Sequence, residues 1–307
     1  MSDYRVIMVG MPETGKTSYL AALWQVLESA EVESKLRLAA TPADRQYLNE
    51  IRGSWEGGEA VKRTTGAGIE QVALRLEVVG GPKIELSLPD IAGEVFQNLW
   101  RSHVLTPRVV DIVKSADGVL LFVHPEEVAT YARIDEANTL LSELDVGGET
   151  PQGGAGGGVG PPESAEKANH EAVQDLKSAP AYDPKRSCTA VQLVDVLQSL
   201  WHLGAGAGAR TAVVVSAWDL VKEKTTPDKW LSRTLPLLHQ LLAARSPERA
   251  YRVFGVSALG GDISDPARRV ELLARANASS RIVCVDGDEM STDVTRPLLW
   301  LAGGARP

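Results

Sequence analysis

The sequence predicts an α/β fold with a doubly wound, mostly parallel sheet of six strands, helices on both faces and one antiparallel edge strand. Strand-like and helix-like segments alternate along the 307 residues, which is the pattern of parallel strands joined by crossover helices. Two of the strand-like segments are separated only by Gly80-Gly81-Pro82, a hairpin signal that makes this one pair antiparallel. We interpret residues 1–307 as a single domain that carries an insertion at residues 146–187.

Apolar runs and helical periodicity locate the individual elements. Strands are predicted near residues 4–10, 69–79, 83–89, 117–124, 211–217 and 251–257. Helices are predicted near residues 16–29, 94–115, 126–144, 188–202, 227–245, 265–276 and 294–302. The hairpin makes the first strand of its pair the antiparallel edge strand. A short apolar run at residues 281–285 is a candidate for an added strand.

One segment interrupts this alternation. Residues 147–162 contain eight glycines and three prolines in sixteen positions, which is the composition of a flexible linker. We therefore expect a flexible insertion over residues 146–187. A partner-binding loop and a tolerated surface insertion are both compatible with this composition, because loops accept extra length at small entropic cost.

Charge and composition restrict the class of protein. The formal net charge of −8 argues against bulk binding to nucleic acid or to an anionic membrane surface. Cys188 and Cys284 are far apart and lack a C-x-x-C partner, so we expect both to be reduced and structural. No signal peptide is visible, and no apolar run approaches the roughly 18 residues of a transmembrane helix. These features predict a soluble, cytoplasmic protein without membrane insertion.

The first strand leads into a phosphate-binding loop. Residues 10–17 fit the pattern G-x-x-x-x-G-K-[ST], with a buried-type strand before them and an apolar helical pattern after them. Gly10 and Gly15 allow the backbone to wrap closely around phosphate oxygens, where a Cβ would collide. The free N–H groups and the dipole at the helix start favour an anion. Lys16 is placed to reach the β- and γ-phosphates, and the Thr17 hydroxyl to bind Mg²⁺.

Two further strands end in an acidic residue. The strand at residues 83–89 is followed by Asp90 and, three positions later, Gly93, which forms a D-x-x-G pattern. At this position the aspartate would hold Mg²⁺, and the Gly93 N–H would sense the γ-phosphate. The strand at residues 211–217 is followed by Asp219. That carboxylate would accept from N1–H and the 2-amino group of guanine, which adenine cannot offer.

A last motif lies at the end of the strand at residues 251–257. Ser257-Ala258-Leu259 would place a backbone N–H near Ala258 against guanine O6. The predicted nucleotide contacts are Gly10, Pro12, Glu13, Thr14, Gly15, Lys16, Thr17, Ser18, Ser216, Trp218, Asp219, Ser257, Ala258 and Leu259.

These motifs in this order resemble the Ras-like P-loop GTPases, and within them the bacterial double-GTPase group. The finer resemblance rests on the phosphate loop with Ser18-Tyr19-Leu20, on Asp90-Ile91-Ala92-Gly93-Glu94, and on the tail Asp293-Val294-Thr295-Arg296-Pro297-Leu298-Leu299-Trp300. It implies GTP and GDP as ligands, Mg²⁺ as cofactor and hydrolysis of GTP as the reaction. The double-GTPase group is thought to act in multi-protein bacterial conflict and defence systems.

The chain departs from the family pattern at the base motif. The usual N-K-x-D becomes Ser216-Ala217-Trp218-Asp219, so the Asn that braces the phosphate loop and the Lys that packs over the purine are both replaced. Guanine selection would then depend mainly on Asp219. Trp218 is a candidate to cover part of the base site, and a Trp packed in the core is the alternative.

Glu94 and the region before residue 69 complete the predicted catalytic group. Glu94 stands where many small GTPases have a Gln that orients the attacking water, and its charge predicts slow hydrolysis. The resemblance places a switch threonine at Thr65 or Thr64, of which we favour Thr65 as a metal ligand beside Thr17 and Asp90. Arg63 is a candidate arginine finger, with a solvated loop arginine as the alternative. The predicted catalytic residues are Lys16, Arg63, Thr65, Gly93 and Glu94.

Loss of the γ-phosphate would release residues near 55–68 and 91–100, and an unidentified protein effector would read these switch loops. Two other functions remain open at this stage. The substituted base motif and Glu94 also fit a non-hydrolysing nucleotide-binding scaffold. An ATP-using P-loop enzyme is the third possibility.

Overall fold

The computed structural model describes residues 2–43, 45–59, 69–80, 83–129, 187–205 and 210–303. Apart from Ser187, these residues belong to one unit, made of residues 1–129 and 188–307. Residues 130–187 are assigned to a second unit. The insertion expected at residues 146–187 lies outside the described residues except for Ser187, as does the predicted helix at residues 126–144 beyond residue 129. The single-domain interpretation therefore stays a prediction.

The described residues form one nine-stranded sheet, with the strand order β2-β3-β4-β1-β5-β6-β7-β8-β9. In chain order the strands are β1 (Ser2–Val9), β2 (Leu36–Leu38), β3 (Ile69–Val78), β4 (Lys83–Ile91), β5 (Gly118–Val123), β6 (Thr211–Ser216), β7 (Tyr251–Ser257), β8 (Val283–Asp286) and β9 (Glu289–Ser291). Strands β4, β1, β5, β6 and β7 are mutually parallel.

The predicted α/β class and mostly parallel sheet are confirmed, but the count of six strands is wrong for the described residues. Strand β3 is antiparallel to β4, as predicted, yet it is not the edge, because β2 pairs outside it. At the other edge β8, which falls on the run at residues 281–285 given as a candidate added strand, pairs antiparallel with β7, and β9 completes a hairpin with β8. Both β2 and β9 have only three residues, which is too few to show a periodic pattern. Their strand conformation depends on backbone pairing with the neighbouring strand.

Nine α-helices lie in the described residues. They are α1 (Lys16–Ser29), α2 (Arg45–Glu56), α3 (Gly93–Ser102), α4 (Pro107–Ser115), α5 (Thr189–His202), α6 (Pro227–Thr234), α7 (Pro236–Arg245), α8 (Pro266–Leu273) and α9 (Arg296–Leu301).

Two predicted helices are each divided by a proline. The helix expected at 94–115 becomes α3 and α4, and the helix expected at 227–245 becomes α6 and α7. Pro107 and Pro236 each stand in the first turn of the second helix. A proline has no N–H to donate to the preceding turn and disfavours helical backbone in the residue before it. The prolines therefore start new helices.

Helix α2 was missed, because no element was predicted between the helix at residues 16–29 and the strand at residues 69–79. Its apolar residues Leu48, Ile51 and Trp55 are buried on one side, at helical spacing. The helix packs on α1, where the Trp24 indole N–H donates to Asn49 Oδ1 at 2.9 Å. Helix α2 thus packs against the helix that follows the predicted phosphate loop.

Alternate residues of the strands point to opposite faces of the sheet, and both faces are covered by helices. Val6 and Met8 of β1 contribute to a core with α1, α2 and α9. Ile7 and Val9 contribute to a second core with α3, α4, α5, α6 and α7. This two-faced burial explains why the central strands are continuously apolar. Both cysteines are free and buried, and none of the described helices is long and apolar enough to cross a bilayer.

Candidate nucleotide-binding site

The predicted motifs converge at one edge of the sheet. They follow the carboxyl ends of β1, β4, β6 and β7, which are neighbouring strands of the parallel core apart from β5 between β1 and β6. Two cavities of about 320 and about 350 Å³ open there, and both are lined by Glu13, Gly15, Ser18, Leu259 and Ile263. A crevice at the carboxyl ends of parallel strands is where α/β folds bind ligands. We call the smaller one the phosphate cavity and the larger one the base cavity.

The phosphate loop turns into α1 through two residues with positive φ. Gly15 has φ +81° and precedes the first residue of α1. Glu13 also has a positive φ, of +64°, which is rare for a residue with a Cβ. A Cβ on Gly10 would lie 2.5 Å from Thr14 Oγ1, so a larger residue there would displace the Thr14 side chain. The loop is braced internally, because the Thr14 hydroxyl donates to the Met11 carbonyl at 2.8 Å.

Lys16 is buried at the centre of this loop, with 7% of its surface exposed. Its Nζ donates to the carbonyls of Gly10 at 2.9 Å and Met11 at 3.0 Å. Burial lowers the pKa of Lys16 to about 8, while the nearby carboxylates of Asp90 and Glu94 act in the opposite direction. The ammonium group is therefore held by backbone oxygens at the floor of the phosphate cavity. A bound anion there would favour the protonated, charged form of Lys16.

Thr17 and Asp90 supply oxygen ligands at the same cavity. The Thr17 hydroxyl donates to Asp90 Oδ2 at 3.2 Å, and Asp90 is 1% exposed. A hydroxyl that donates its proton keeps its lone pairs for a cation. Among the described residues no group of three or more His, Cys, Asp or Glu is arranged to hold a metal ion. A pair of hard oxygens fits Mg²⁺, which commonly takes one or two protein ligands together with phosphates and water.

Gly93 and Glu94 close the phosphate cavity from the start of α3. A Cβ on Gly93 would lie 2.4 Å from the Pro12 nitrogen, so the two backbones approach in a way that only glycine allows. Glu94 lies in the first turn of α3 and also lines the cavity. The cavity thus brings together Pro12, Glu13, Thr14, Gly15, Lys16, Thr17, Ser18, Asp90, Gly93, Glu94 and Leu259 of the predicted residues.

The base cavity is lined by Asp219 and by the loop after β7. The Ser257 hydroxyl donates to the Asp219 carboxylate and accepts from the Gly260 N–H at 3.0 Å. Ser257 is 1% exposed, so it is a fixed donor. Ala258 and Leu259 follow it along the same wall. Asp219 and the backbone at Ala258, remote in sequence, are therefore brought to one cavity.

The substituted residues of the base motif are placed differently from one another. Ser216 lines the base cavity, but its hydroxyl donates to the Val123 carbonyl at 3.2 Å, within the sheet. Trp218 lines neither cavity. Its ring packs over Gly255, where a Cβ would lie 2.4 Å from Trp218 Cδ2, and stands edge-on to Trp230. The structure thus supports the packed-core alternative for Trp218 over the base-covering one.

Comparison with known families agrees with this geometry. The family model described as Double-GTPase 1 matches residues 7–301. The chain belongs to this family. The resemblance inferred from the motifs is therefore confirmed, and membership supports GTP binding.

Two solved structures that resemble this double-GTPase chain are an elongation factor and a small GTPase. A bacterial selenocysteine-specific elongation factor EF-Sec is 14% identical with a TM-score of 0.33, over 89% of this chain and 29% of that one. The Arl6 BBS3 small GTPase from Trypanosoma brucei, with the bound nucleotide analogue GppNp, is 13% identical with a TM-score of 0.34, over 88% of this chain and 96% of that one. The chain spans less than a third of the elongation factor. Among curated proteins, none gives a significant match.

The double-GTPase site also contains residues that the motifs did not reveal. Tyr47 of α2 donates its hydroxyl to Asp90 Oδ2 at 2.8 Å. Glu59 lines the phosphate cavity, His124 the base cavity and Ile263 both. The Leu48, Ile51 and Trp55 spacing was a sequence signal for α2, but nothing in the sequence linked Tyr47 to Asp90. The predicted Arg63, Thr64 and Thr65 lie outside the described residues.

Proposed function

We propose that this protein is a Mg²⁺-dependent GTP-binding switch that acts in the cytoplasm and hydrolyses GTP slowly to GDP and phosphate. The observation that carries the proposal is the pair of adjoining cavities. One contains a buried ammonium and a hydroxyl–carboxylate pair, and the other contains a fixed carboxylate. A triphosphate and a purine are joined through a ribose, and two cavities with shared walls suit such a ligand.

On the phosphate side, Lys16 holds the β- and γ-phosphates. Thr17 and Asp90 hold Mg²⁺, Thr17 directly and Asp90 through its shell. The metal, when bound, neutralises developing charge on the phosphates. The Gly93 N–H senses the γ-phosphate, and Glu94 orients the attacking water. Thr65 as a switch ligand and Arg63 as an arginine finger remain predictions about residues outside the described part of the chain.

On the base side, Asp219 accepts from N1–H and the 2-amino group of guanine, and the backbone N–H at Ala258 donates to O6. Adenine offers an acceptor at N1 and would leave the Asp219 carboxylate without its donors. The hydrogen bond from Ser257 supports this role, because it fixes the carboxylate. Selection of guanine therefore depends on one side chain and one backbone group.

The proposal of slow hydrolysis depends on Glu94. A carboxylate beside the γ-phosphate orients water but adds negative charge where charge already accumulates. We further propose that the switch serves a bacterial multi-protein conflict or defence system, since the group that the chain resembles is thought to act there. A partner protein would then read residues near 55–68 and 91–100.

The test is a single-turnover measurement with purified protein, GTP and Mg²⁺, in which phosphate release and bound nucleotide are followed together. We expect GTP binding with slow phosphate release, and no binding of ATP at the same concentration. Binding without any phosphate release would favour the non-hydrolysing scaffold. Release at the rate of a partner-stimulated GTPase would contradict the role given to Glu94, and preference for ATP would contradict that of Asp219.

A further inference from the structure

Helix α2 contacts both halves of the site. At its start, the Tyr47 hydroxyl donates to Asp90 Oδ2 at 2.8 Å, on the phosphate side. Near its end, the Trp55 indole N–H donates to the Ala258 carbonyl at 2.9 Å, on the base side. The two residues are separated by about 12 Å of helix, at 1.5 Å per residue. One rigid element therefore touches the metal-side carboxylate and the loop that faces the base.

The Trp55 end of the helix is held firmly in place. Trp55 is fully buried and Arg281 is 2% exposed. The Arg281 guanidinium lies 4.0 Å from the centre of the Trp55 ring and donates to the Trp55 carbonyl at 2.6 Å. A guanidinium at the last carbonyls of a helix also interacts favourably with the helix dipole. Trp55 thus has a fixed orientation toward Ala258.

At the other end, Asp90 Oδ2 receives two hydroxyl donors from different elements. Thr17 belongs to α1 and Tyr47 to α2. Two donors that meet one oxygen from different directions restrict rotation of the carboxyl group more than one donor does. The Tyr47 bond is also the shorter of the two, at 2.8 Å against 3.2 Å.

We propose that Tyr47 is a positioning residue that orients Asp90 for the Mg²⁺ shell, and that α2 also positions the base-side loop through Trp55. This inference rests on the proposed GTP- and Mg²⁺-binding function. Tyr47 would not touch the nucleotide; it would act through Asp90. Removing its hydroxyl should therefore change how release of nucleotide depends on Mg²⁺, while release without Mg²⁺ stays the same.

The experiment measures dissociation of fluorescent GDP at increasing free Mg²⁺, and in EDTA, for the wild type and Tyr47→Phe. We expect the Mg²⁺ concentration at half-maximal retention to rise about tenfold in the variant, since hydrogen bonds to charged groups are the stronger ones. The EDTA rate should change less than about twofold. Tyr4→Phe is the matched control, because it also deletes a phenol donor, at 2.7 Å from the Leu301 carbonyl, away from the site.

Trp55→Phe tests the base side. We expect GDP to dissociate faster by the same factor, about threefold, with and without Mg²⁺, at an unchanged Mg²⁺ midpoint. Circular dichroism and thermal melting of each variant without nucleotide confirm that it folds. A lower melting temperature with an unchanged Mg²⁺ midpoint would assign Tyr47 a structural role only and overturn the inference. A Trp55→Phe variant that releases GDP like the wild type would overturn the base-side part.

The wild-type arm separates this inference from the proposed function. Wild-type protein that binds no GDP under any metal condition would refute the proposed function, and the inference with it. If the wild type retains GDP in a Mg²⁺-dependent way and Tyr47→Phe has the same Mg²⁺ midpoint, the inference about Tyr47 is refuted and the proposed function stands.

Discussion

The phosphate side and the base side of the site are built in different ways. The floor of the phosphate side is one run of consecutive residues, 12–18, with a buried lysine, and the segment from Asp90 to Glu94 closes the cavity. The base side is assembled from the ends of β5, β6 and β7, which are far apart in the sequence. A contiguous loop sets its own geometry, whereas the base side exists only when the strands are in register.

The two sides also differ in the interaction that dominates. Lys16 is the one cation among the described residues that line the phosphate cavity, against the carboxylates of Glu13, Glu59, Asp90 and Glu94. Binding there should depend on charge, and on Mg²⁺. The base cavity has Asp219 with a hydrogen bond from Ser257, so selection there should depend on the direction of hydrogen bonds. We therefore expect charge to contribute most of the affinity for the phosphates, and the direction of hydrogen bonds to contribute most of the selectivity for the base.

Lys16→Ala should have the largest effect. Removing the cation leaves the phosphates facing carboxylates, and truncation of a buried charged partner typically costs about 2–5 kcal/mol, roughly 30- to 5000-fold in affinity. Calorimetry with GDP and Mg²⁺ measures the loss. Lys229→Ala on the exposed part of α6 is the control and should bind like the wild type. A Lys16→Ala variant whose GDP affinity stays within threefold of the wild type would show that phosphate binding does not depend on the charge of Lys16.

Asp219→Asn should have the next largest effect, on the base side. The amide loses one acceptor for guanine, and we expect GDP affinity to fall about 10- to 100-fold. The new N–H₂ group can donate to a carbonyl at position 2, so the variant should gain affinity for xanthosine diphosphate. Competition binding of GDP, xanthosine diphosphate and ADP measures the base preference. The dependence of binding on Mg²⁺ should stay as in the wild type. An unchanged base preference would show that another group selects the base.

Raising the pH should weaken binding through the phosphate side. Burial lowers the pKa of Lys16 to about 8 in the free protein, and bound phosphate would raise that pKa. Below pH 8 Lys16 is charged in both states, so affinity should be constant. Above pH 8 the free protein must take up a proton on binding, so affinity should fall by up to about tenfold per pH unit.

The control for this pH effect is the residual binding of Lys16→Ala. Guanine itself loses a proton at high pH, and the variant separates that contribution from the titration of Lys16. Calorimetry between pH 7 and pH 9 gives both curves. The same slope in the wild type and the variant would assign the pH effect to the ligand.

Ser257→Ala should have the smallest effect. The variant loses the hydroxyl that donates to Asp219, and the carboxylate becomes free to rotate. A net contribution of about 0.5–1.5 kcal/mol corresponds to a 2- to 12-fold loss of GDP affinity. The ratio of GDP to ADP affinity should fall by the same factor. A loss as large as that of Asp219→Asn would show that Ser257 contacts the nucleotide itself.

Much of the parallel core was predictable because its signals are local. The buried strands β1, β5, β6 and β7 are apolar runs bounded by turn or motif residues, and they lie where the sequence predicts them. The edge strands were not predictable in the same way. β2 has three residues, and its strand conformation depends on backbone pairing with β3. Helix α2 carries a helical spacing, yet its position on α1 depends on long-range packing.

The candidate site divides along the same line. Lys16, Thr17, Asp90, Gly93 and Asp219 were predicted from motifs, because each motif combines a strand end with a residue of specific chemistry. Their roles stay predictions, although the structure brings them to two adjoining cavities. The sequence left open whether Trp218 covers the base or packs in the core. Its ring packs over Gly255, because that residue has no side chain to displace it.

By itself, the sequence determined the α/β class, the phosphate loop and the family, since each of these depends on residues close together in the chain or on motifs in a fixed order. The tertiary structure alone decided the pairing of β2 with β3, the packed place of Trp218 and the bonds from α2 to Asp90 and Ala258. These contacts join residues separated by tens to hundreds of positions. No local pattern encodes them, because their formation requires the whole sheet to assemble first.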